Sequence, residues 1–159
     1  MPRKVTKSLQ RIPGPDRKYQ SPMVQRLINK SMIDGKKSIA ESAVYSALEI
    51  AAKKLDSEDP LEVFERALKN ISPNFEVKSR RVGGANYQIP FPVSGHRQLH
   101  YAFSWLVQSA RGRKGIPYSQ RLALEIVDAY NQAGAAYKKK EDTHKMAEAN
   151  RAFAHFART

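Results

Sequence analysis

A mainly helical fold, a bundle of about six helices with one protruding two-stranded β-hairpin, is what this sequence predicts, and three observations predict it. Apolar residues recur at three- and four-residue spacing in six separate stretches. The period switches to two in a single place, on either side of Gly83-Gly84. The chain has 159 residues, 41% of them apolar, which suits one hydrophobic core rather than two.

The elements follow in order. Residues 1–20 show no helical period, are punctuated by Pro2, Pro13, Gly14 and Pro15, and include six cations, so they read as an extended basic arm ordered by a partner. Residues 21–159 read as a single helical domain carrying the hairpin at about 75–90. Ser21-Pro22 is an N-cap and first-turn pair. Val24, Leu27, Ile28 and Met32 form the apolar stripe behind it, and Asp34-Gly35 stops the helix. A second helix opens near Lys37-Ser38 and runs to about Leu55 on the stripe Ala40, Ala43, Val44, Ala47, Leu48 and Ala51. Pro60 starts a third helix, lined by Leu61, Phe64, Leu68 and Ile71, and Ser72-Pro73-Asn74 ends it.

Phe75, Val77 and Ser79 then alternate with Glu76, Lys78 and Arg80, and Tyr87 and Ile89 share one side beyond the diglycine. This predicts a hairpin closed by Pro90 and Pro92. Ser94 is placed to cap a fourth helix with Leu99, Phe103, Leu106 and Ala110 inward. The basic loop Arg111-Gly-Arg-Lys-Gly115 ends that helix. Ser119 begins a fifth, with Leu122, Ile126, Val127 and Tyr130 inward. Gly134 interrupts, and a last amphipathic stretch runs from about Ala135 to Phe153.

Composition excludes several functions. There is no cysteine, hence no thiolate chemistry, no cysteine zinc site and no disulfide scaffold. No stretch is long and apolar enough to span a membrane, and the N-terminus runs into Arg3 and Lys4 without the apolar run of a secretory signal. The formal net charge is +13, which predicts a polyanionic partner. Residues 1–37 contain ten cations and two carboxylates, and residues 77–124 contain eight cations and none. Residues 41–65 between them reverse the balance, with seven carboxylates and two cations. One face is therefore expected to meet phosphates and another to meet water or a basic neighbour.

No catalytic set emerges. His96 and His100 have the spacing of two zinc ligands on a helix, yet Arg97 stands where a metalloprotease needs its glutamate and no third ligand is near. Gly35-Lys36-Lys37-Ser38 lacks the first glycine of a phosphate loop, because Lys30 occupies it, and Lys37 replaces the metal-binding hydroxyl. The two lysines still lie at a helix start, where cations and backbone N–H groups together hold phosphate. The chain is thus expected to act without catalysis, cofactor or metal.

The hairpin, with Lys78, Arg80 and Arg81 beside Gly83-Gly84 and Tyr87 across from them, has the makings of a nucleic-acid finger. Roughly six to ten phosphate contacts would cost ~10³–10⁵ in affinity between 50 and 200 mM salt on the duplex estimate. Discrimination must then come from shape. Arm, hairpin and loops reaching several strands favour folded RNA over duplex DNA, and no helix pair resembles a helix-turn-helix. A general architectural nucleic-acid-binding protein is the alternative.

Three runs carry a resemblance. Gly35-Lys-Lys-Ser38 with Ala40-Glu41 and Val44-Tyr45 is the first. The second is Val77-Lys-Ser-Arg-Arg-Val-Gly-Gly84 with Tyr87-Gln-Ile-Pro90. The third is His144-Lys-Met-Ala-Glu-Ala-Asn150 with Arg151-Ala-Phe-Ala-His155. Together they resemble the small-subunit ribosomal protein seven family of the bacterial type, over essentially the whole chain. The resemblance implies a helical bundle with a β-ribbon and a primary binder of small-subunit ribosomal RNA. It implies a protein that nucleates assembly of the head and lies at the subunit interface near the exit-site tRNA and messenger.

By position, Arg3, Lys4, Lys7, Arg11, Lys36, Lys37, Lys78, Arg97, Arg111, Arg113 and Lys114 would contact ribosomal RNA. Arg80, Arg81, Val82, Gly83, Gly84 and Arg151 would face tRNA and messenger, and the C-terminal segment would approach a platform protein. The implied location is the ribosome of a cytoplasm or of an organelle that has its own. Ser94-Gly95-His96 and Ser104 depart from the family's proline and arginines in the fourth helix, and Gln20 replaces a common glycine.

Overall fold

The structure, a computed structural model, describes residues 13–157. Six α-helices and one hairpin follow one another as α1 (Pro22–Ser31), α2 (Lys37–Lys54), α3 (Pro60–Ile71), β1 (Phe75–Val82), β2 (Ala85–Pro92), α4 (Gly95–Gly112), α5 (Tyr118–Tyr130) and α6 (Gly134–Ala149). A short 3-10 helix, Arg151–Ala157, comes last. Helix α5 is central, lying against α2, α3, α4 and α6. Its Leu122, Ala123, Ile126 and Ala129 meet Val44 and Leu48 of α2, Phe64 and Ile71 of α3 and Leu106 of α4 in one apolar cluster. The stripes expected in the first five helices supply this core. Only Ala136 and Ala147 of α6 are buried, so the last helix is a cover rather than a pillar.

Local chemistry explains most boundaries. Asp59 caps α3 by accepting the Leu61 N–H at 2.8 Å, with Pro60 in the first turn. Asp34 and Gly35 both have positive φ, +53° and +71°, which turns the chain out of α1 and into α2. At the hairpin tip Gly83 and Gly84 have φ of +56° and +89°, and Val82 pairs with Ala85. Two positive-φ residues between paired strands are the requirement of a type I′ turn, and the diglycine meets it.

Other boundaries differ from expectation. Ser21 and Ser94 occupy the N-cap positions of α1 and α4, but neither side chain makes a capping bond. Asp16 anchors the start of α1 instead, receiving the N–H groups of Lys18 (3.0 Å), Tyr19 (2.8 Å) and Ser21 (2.8 Å). Helix α5 begins at Tyr118 rather than Ser119, and Arg111 and Gly112 belong to α4 rather than to the loop after it. Strand β2 passes through Pro90 to Pro92. Prolines two apart put both nitrogens on one edge of the strand, and a two-stranded ribbon has an outer edge that needs no donor.

The final amphipathic stretch is not one helix. Asn150 donates both its backbone N–H and its side-chain amide to the Met146 carbonyl, which ends α6 there. The 3-10 helix then folds back on β2, where Phe153 and Phe156 lie 5.1 and 5.6 Å from the Tyr87 ring.

Candidate nucleic-acid interface

The cations expected at the interface fall into two groups. Lys36, Arg81, Arg111 and Lys114 are exposed. Lys36 precedes α2, and Arg111 lies in the last turn of α4 with Nη2 donating to the Ser31 carbonyl at 3.2 Å. That bond ties the C-terminal end of α1 to the C-terminal end of α4. Lys36 and Arg111, 75 positions apart in sequence, line one groove together with Arg121 of α5. Lys37, also exposed, lies 3.7 Å from Glu41 one helical turn on, a loose surface pair of small energetic weight.

The second group is engaged within the molecule, Lys78 and Arg97 while keeping about half of their side-chain surface exposed. Arg113 donates Nε and Nη2 to Glu125 at 2.9 and 2.6 Å, and Nη2 also reaches Asp128. Glu125 has no exposed surface, and its other oxygen accepts the Ala136 N–H at 2.8 Å. One buried carboxylate thus ties the end of α4, the middle of α5 and the first turn of α6. Much of the Arg113 donor fork is therefore occupied by carboxylates.

Lys78 and Arg97 share Glu76 in the same way. Lys78 Nζ lies 2.8 Å from one oxygen, and Arg97 Nε and the Tyr101 hydroxyl each donate to the other at 2.5 Å. Burial alone would raise the Glu76 pKa, but these three donors outweigh it and hold the carboxyl at about 2. This is the joint that fixes the base of the hairpin to α4.

Along the hairpin, Arg80 Nη1 donates to the Phe156 carbonyl at 3.0 Å, so the 3-10 helix is pinned to β1 as well as to Tyr87. Arg81, Gly83 and Gly84 are exposed at the tip, with open space around both glycines. Arg151 is also exposed and lies 3.4 Å from Glu148. At the base, the Asn74 N–H donates to His144 Nε2 at 3.0 Å. Burial and the nearby Lys140 keep that imidazole below its usual pKa, in the neutral form the bond needs.

The remaining expectations divide as follows. Arg3, Lys4, Lys7 and Arg11 lie outside the described residues. His96 and His100 are exposed, and the His100 ring packs edge-on to Tyr101 at 6.0 Å. Among the described residues no group of three His, Cys, Asp or Glu is arranged to hold a metal, and no helix is long and apolar enough to cross a membrane. Ser104 is buried on the inner face of α4.

Sequence reasoning missed the carboxylates that organise these cations, Asp16, Glu76, Glu125 and Asp128. A faint signal was available for two of them. Glu76 and Glu125 bracket the block that is otherwise free of carboxylates, which is where an ion pair to that block has to come from.

The model of a family described as ribosomal protein S7p/S5e matches residues 2–151. The chain is 56% identical over 156 residues to the small ribosomal subunit protein uS7 of Thermomicrobium roseum, covering 98% of this chain and 99% of that protein. It is 54% identical over 158 residues to the protein of that name from Chloroflexus aggregans, covering 99% of both. It is 53% identical over 156 residues to the one from Dictyoglomus turgidum, covering 98% and 99%. Matched over nearly its full length by the family model and by relatives of more than half identity, the chain belongs to the ribosomal protein S7p/S5e family.

Proposed function

We propose that this protein is a structural component of the small ribosomal subunit that binds its ribosomal RNA without catalysis and nucleates folding of the head. The observation that carries the RNA reading is the convergence of Lys36 and Arg111 on one groove through the Arg111–Ser31 bond. Cations brought together from distant parts of a chain and held at fixed separations neutralise phosphates of strands that would otherwise repel. A rigid body then selects RNA by the spacing of its phosphates rather than by base sequence.

In this reading Lys36, Lys37, Arg111 and Lys114, with Arg3, Lys4, Lys7 and Arg11 of the arm, bind ribosomal RNA. Lys78, Arg97 and Arg113 act chiefly by fixing the elements that bear the other cations, given their carboxylate partners. The hairpin tip, with Arg81, Gly83 and Gly84, faces the exit-site tRNA and messenger. Arg80 and Arg151 contribute through the 3-10 helix folded on that hairpin. Head and platform proteins are its neighbours, and the ribosome in the cytoplasm is its location.

The test is filter binding of the full chain to the head-domain fragment of small-subunit RNA. A shuffled RNA and a duplex DNA of equal length are run beside it, at about 50 and about 250 mM salt. The head fragment is expected to keep a large preference at the higher salt. Parallel loss of all three would leave only counterion release and replace this reading with a general architectural binder.

A further inference from the structure

The groove lined by Lys36 and Arg111 has a floor unlike the rest of the basic surface. Ile33 in the α1–α2 loop is 58% exposed and Ile39 in the first turn of α2 is 64% exposed, and both border it with Ala40 and Ala43. Two isoleucines left in water side by side mark a surface that another molecule covers. The space is about 270 Å³, at the lower end of what small-molecule sites offer, which admits one planar ring system and no helix.

The rim identifies the occupant. Lys36, Arg111 and Arg121 line the groove, and no lining residue is acidic. Arg121 is held in place, its Nη1 donating to the Arg111 and Arg113 carbonyls at 3.3 and 2.7 Å. An apolar protein side chain would cover the isoleucines but not answer the three cations. An unstacked nucleotide answers all of them, with a flat ring, acceptor atoms on its edge and phosphates on either side.

We propose that this groove receives one splayed-out nucleobase of the bound RNA, its ring against Ile33 and Ile39 and its flanking phosphates on Lys36 and Arg111. The proposal rests on the ribosomal-RNA reading and adds to it a site that reads an unpaired base where the rest of the surface reads phosphate spacing.

Ile33→Ser/Ile39→Ser tests it, since both side chains are exposed and their replacement leaves the core untouched. In salt-titrated filter binding of the full-length variant to the head-domain RNA fragment, affinity is expected to fall about tenfold, within the range of a single base stack removed. The slope against salt stays the same, because every phosphate keeps its cation. Chemical probing of the same complexes is expected to show one single-stranded base that the wild type protects and the variant leaves reactive.

Unchanged affinity and an unchanged probing pattern, beside tight wild-type binding, overturn the groove assignment alone. Absence of any head-fragment preference in the wild type would sink the ribosomal-RNA reading beneath it, a different signature. Ile39→Lys is the second variant. It adds a cation, so exposure of the same base despite the extra charge supports the site, and tighter binding with every base still protected overturns it.

Discussion

Gln20 stands in the turn before α1 with φ of +53°. That left-handed conformation costs a residue with a β-carbon about 1–2 kcal/mol. The bond from its side-chain amide to the Arg17 carbonyl at 3.2 Å offsets part of the strain. Gln20→Gly is therefore expected to raise stability by about 0.5–1 kcal/mol in urea unfolding, less than the full strain because glycine also has more unfolded freedom to lose. A neutral or destabilising result would mean the amide bond outweighs the strain.

Glu76 and Asp16 give the molecule an acid dependence. In Asp16 burial again pushes the pKa up, and the N–H groups of Tyr19, Ser21 and Lys18 overcome it and hold the carboxyl below 3.8. Both groups are more acidic folded than unfolded. Their stabilisation is complete above the unfolded values near 4 and is lost as pH falls toward about 2. Melting followed from pH 6 to pH 2.5 is expected to show a steep fall in Tm below about pH 4.5. Glu76→Gln is expected to lower stability by about 1–3 kcal/mol at neutral pH and to flatten that fall. An unaltered acid limb in the variant would assign the loss to other carboxylates. The Glu76–Arg97 pair is not visible from spacing, since the two are 21 positions apart and meet only once the fold brings the base of the hairpin to the first turn of α4.

At the level of elements, the hairpin separates two jobs that the sequence merges into one basic block. Its base is an ion-paired joint, and its tip projects with Arg81 and the two glycines. Arg80→Ala/Arg81→Ala is expected to leave affinity for the head-domain RNA within about threefold. Lys36→Ala/Lys37→Ala is expected to lower it by about tenfold or more and to shallow the salt slope by about one to two. Retention of the exit-site tRNA in assembled subunits should respond only to the first variant. Equal losses of RNA affinity would show that the hairpin is part of the primary binding surface. The helices themselves were legible because amphipathic spacing is a local record of burial. The 3-10 helix was not, because the C-terminal segment takes its shape from Tyr87 on a strand more than sixty residues away.

For the molecule as a whole, the acidic stretch 41–65 belongs to α2, α3 and the turn between them, and its first carboxylate, Glu41, pairs with Lys37 beside the groove. The formal net charge of +13 is expected to steer the chain toward a polyanion. Residues 1–12 add Arg3, Lys4, Lys7 and Arg11 to that charge. Their deletion is expected to weaken head-fragment binding and to reduce the salt slope by about three to four, since each phosphate neutralised accounts for about 0.7–0.9 of it. A slope that does not change would remove the arm from the interface.

Charge, composition and apolar period were properties of the chain itself, and they determined a one-core helical protein with a hairpin and a polyanionic partner. Which cations are bound to carboxylates distant in sequence was decided by tertiary structure alone. Arg111 and Arg113, two positions apart in one basic run, differ completely in this respect, because only Arg113 falls beside Glu125 and Asp128 when α4 and α5 pack. The groove of Ile33, Ile39, Lys36 and Arg111 has the same origin. Local sequence records how each element is buried, whereas the pairing of charges depends on distances that exist only once the helices have packed.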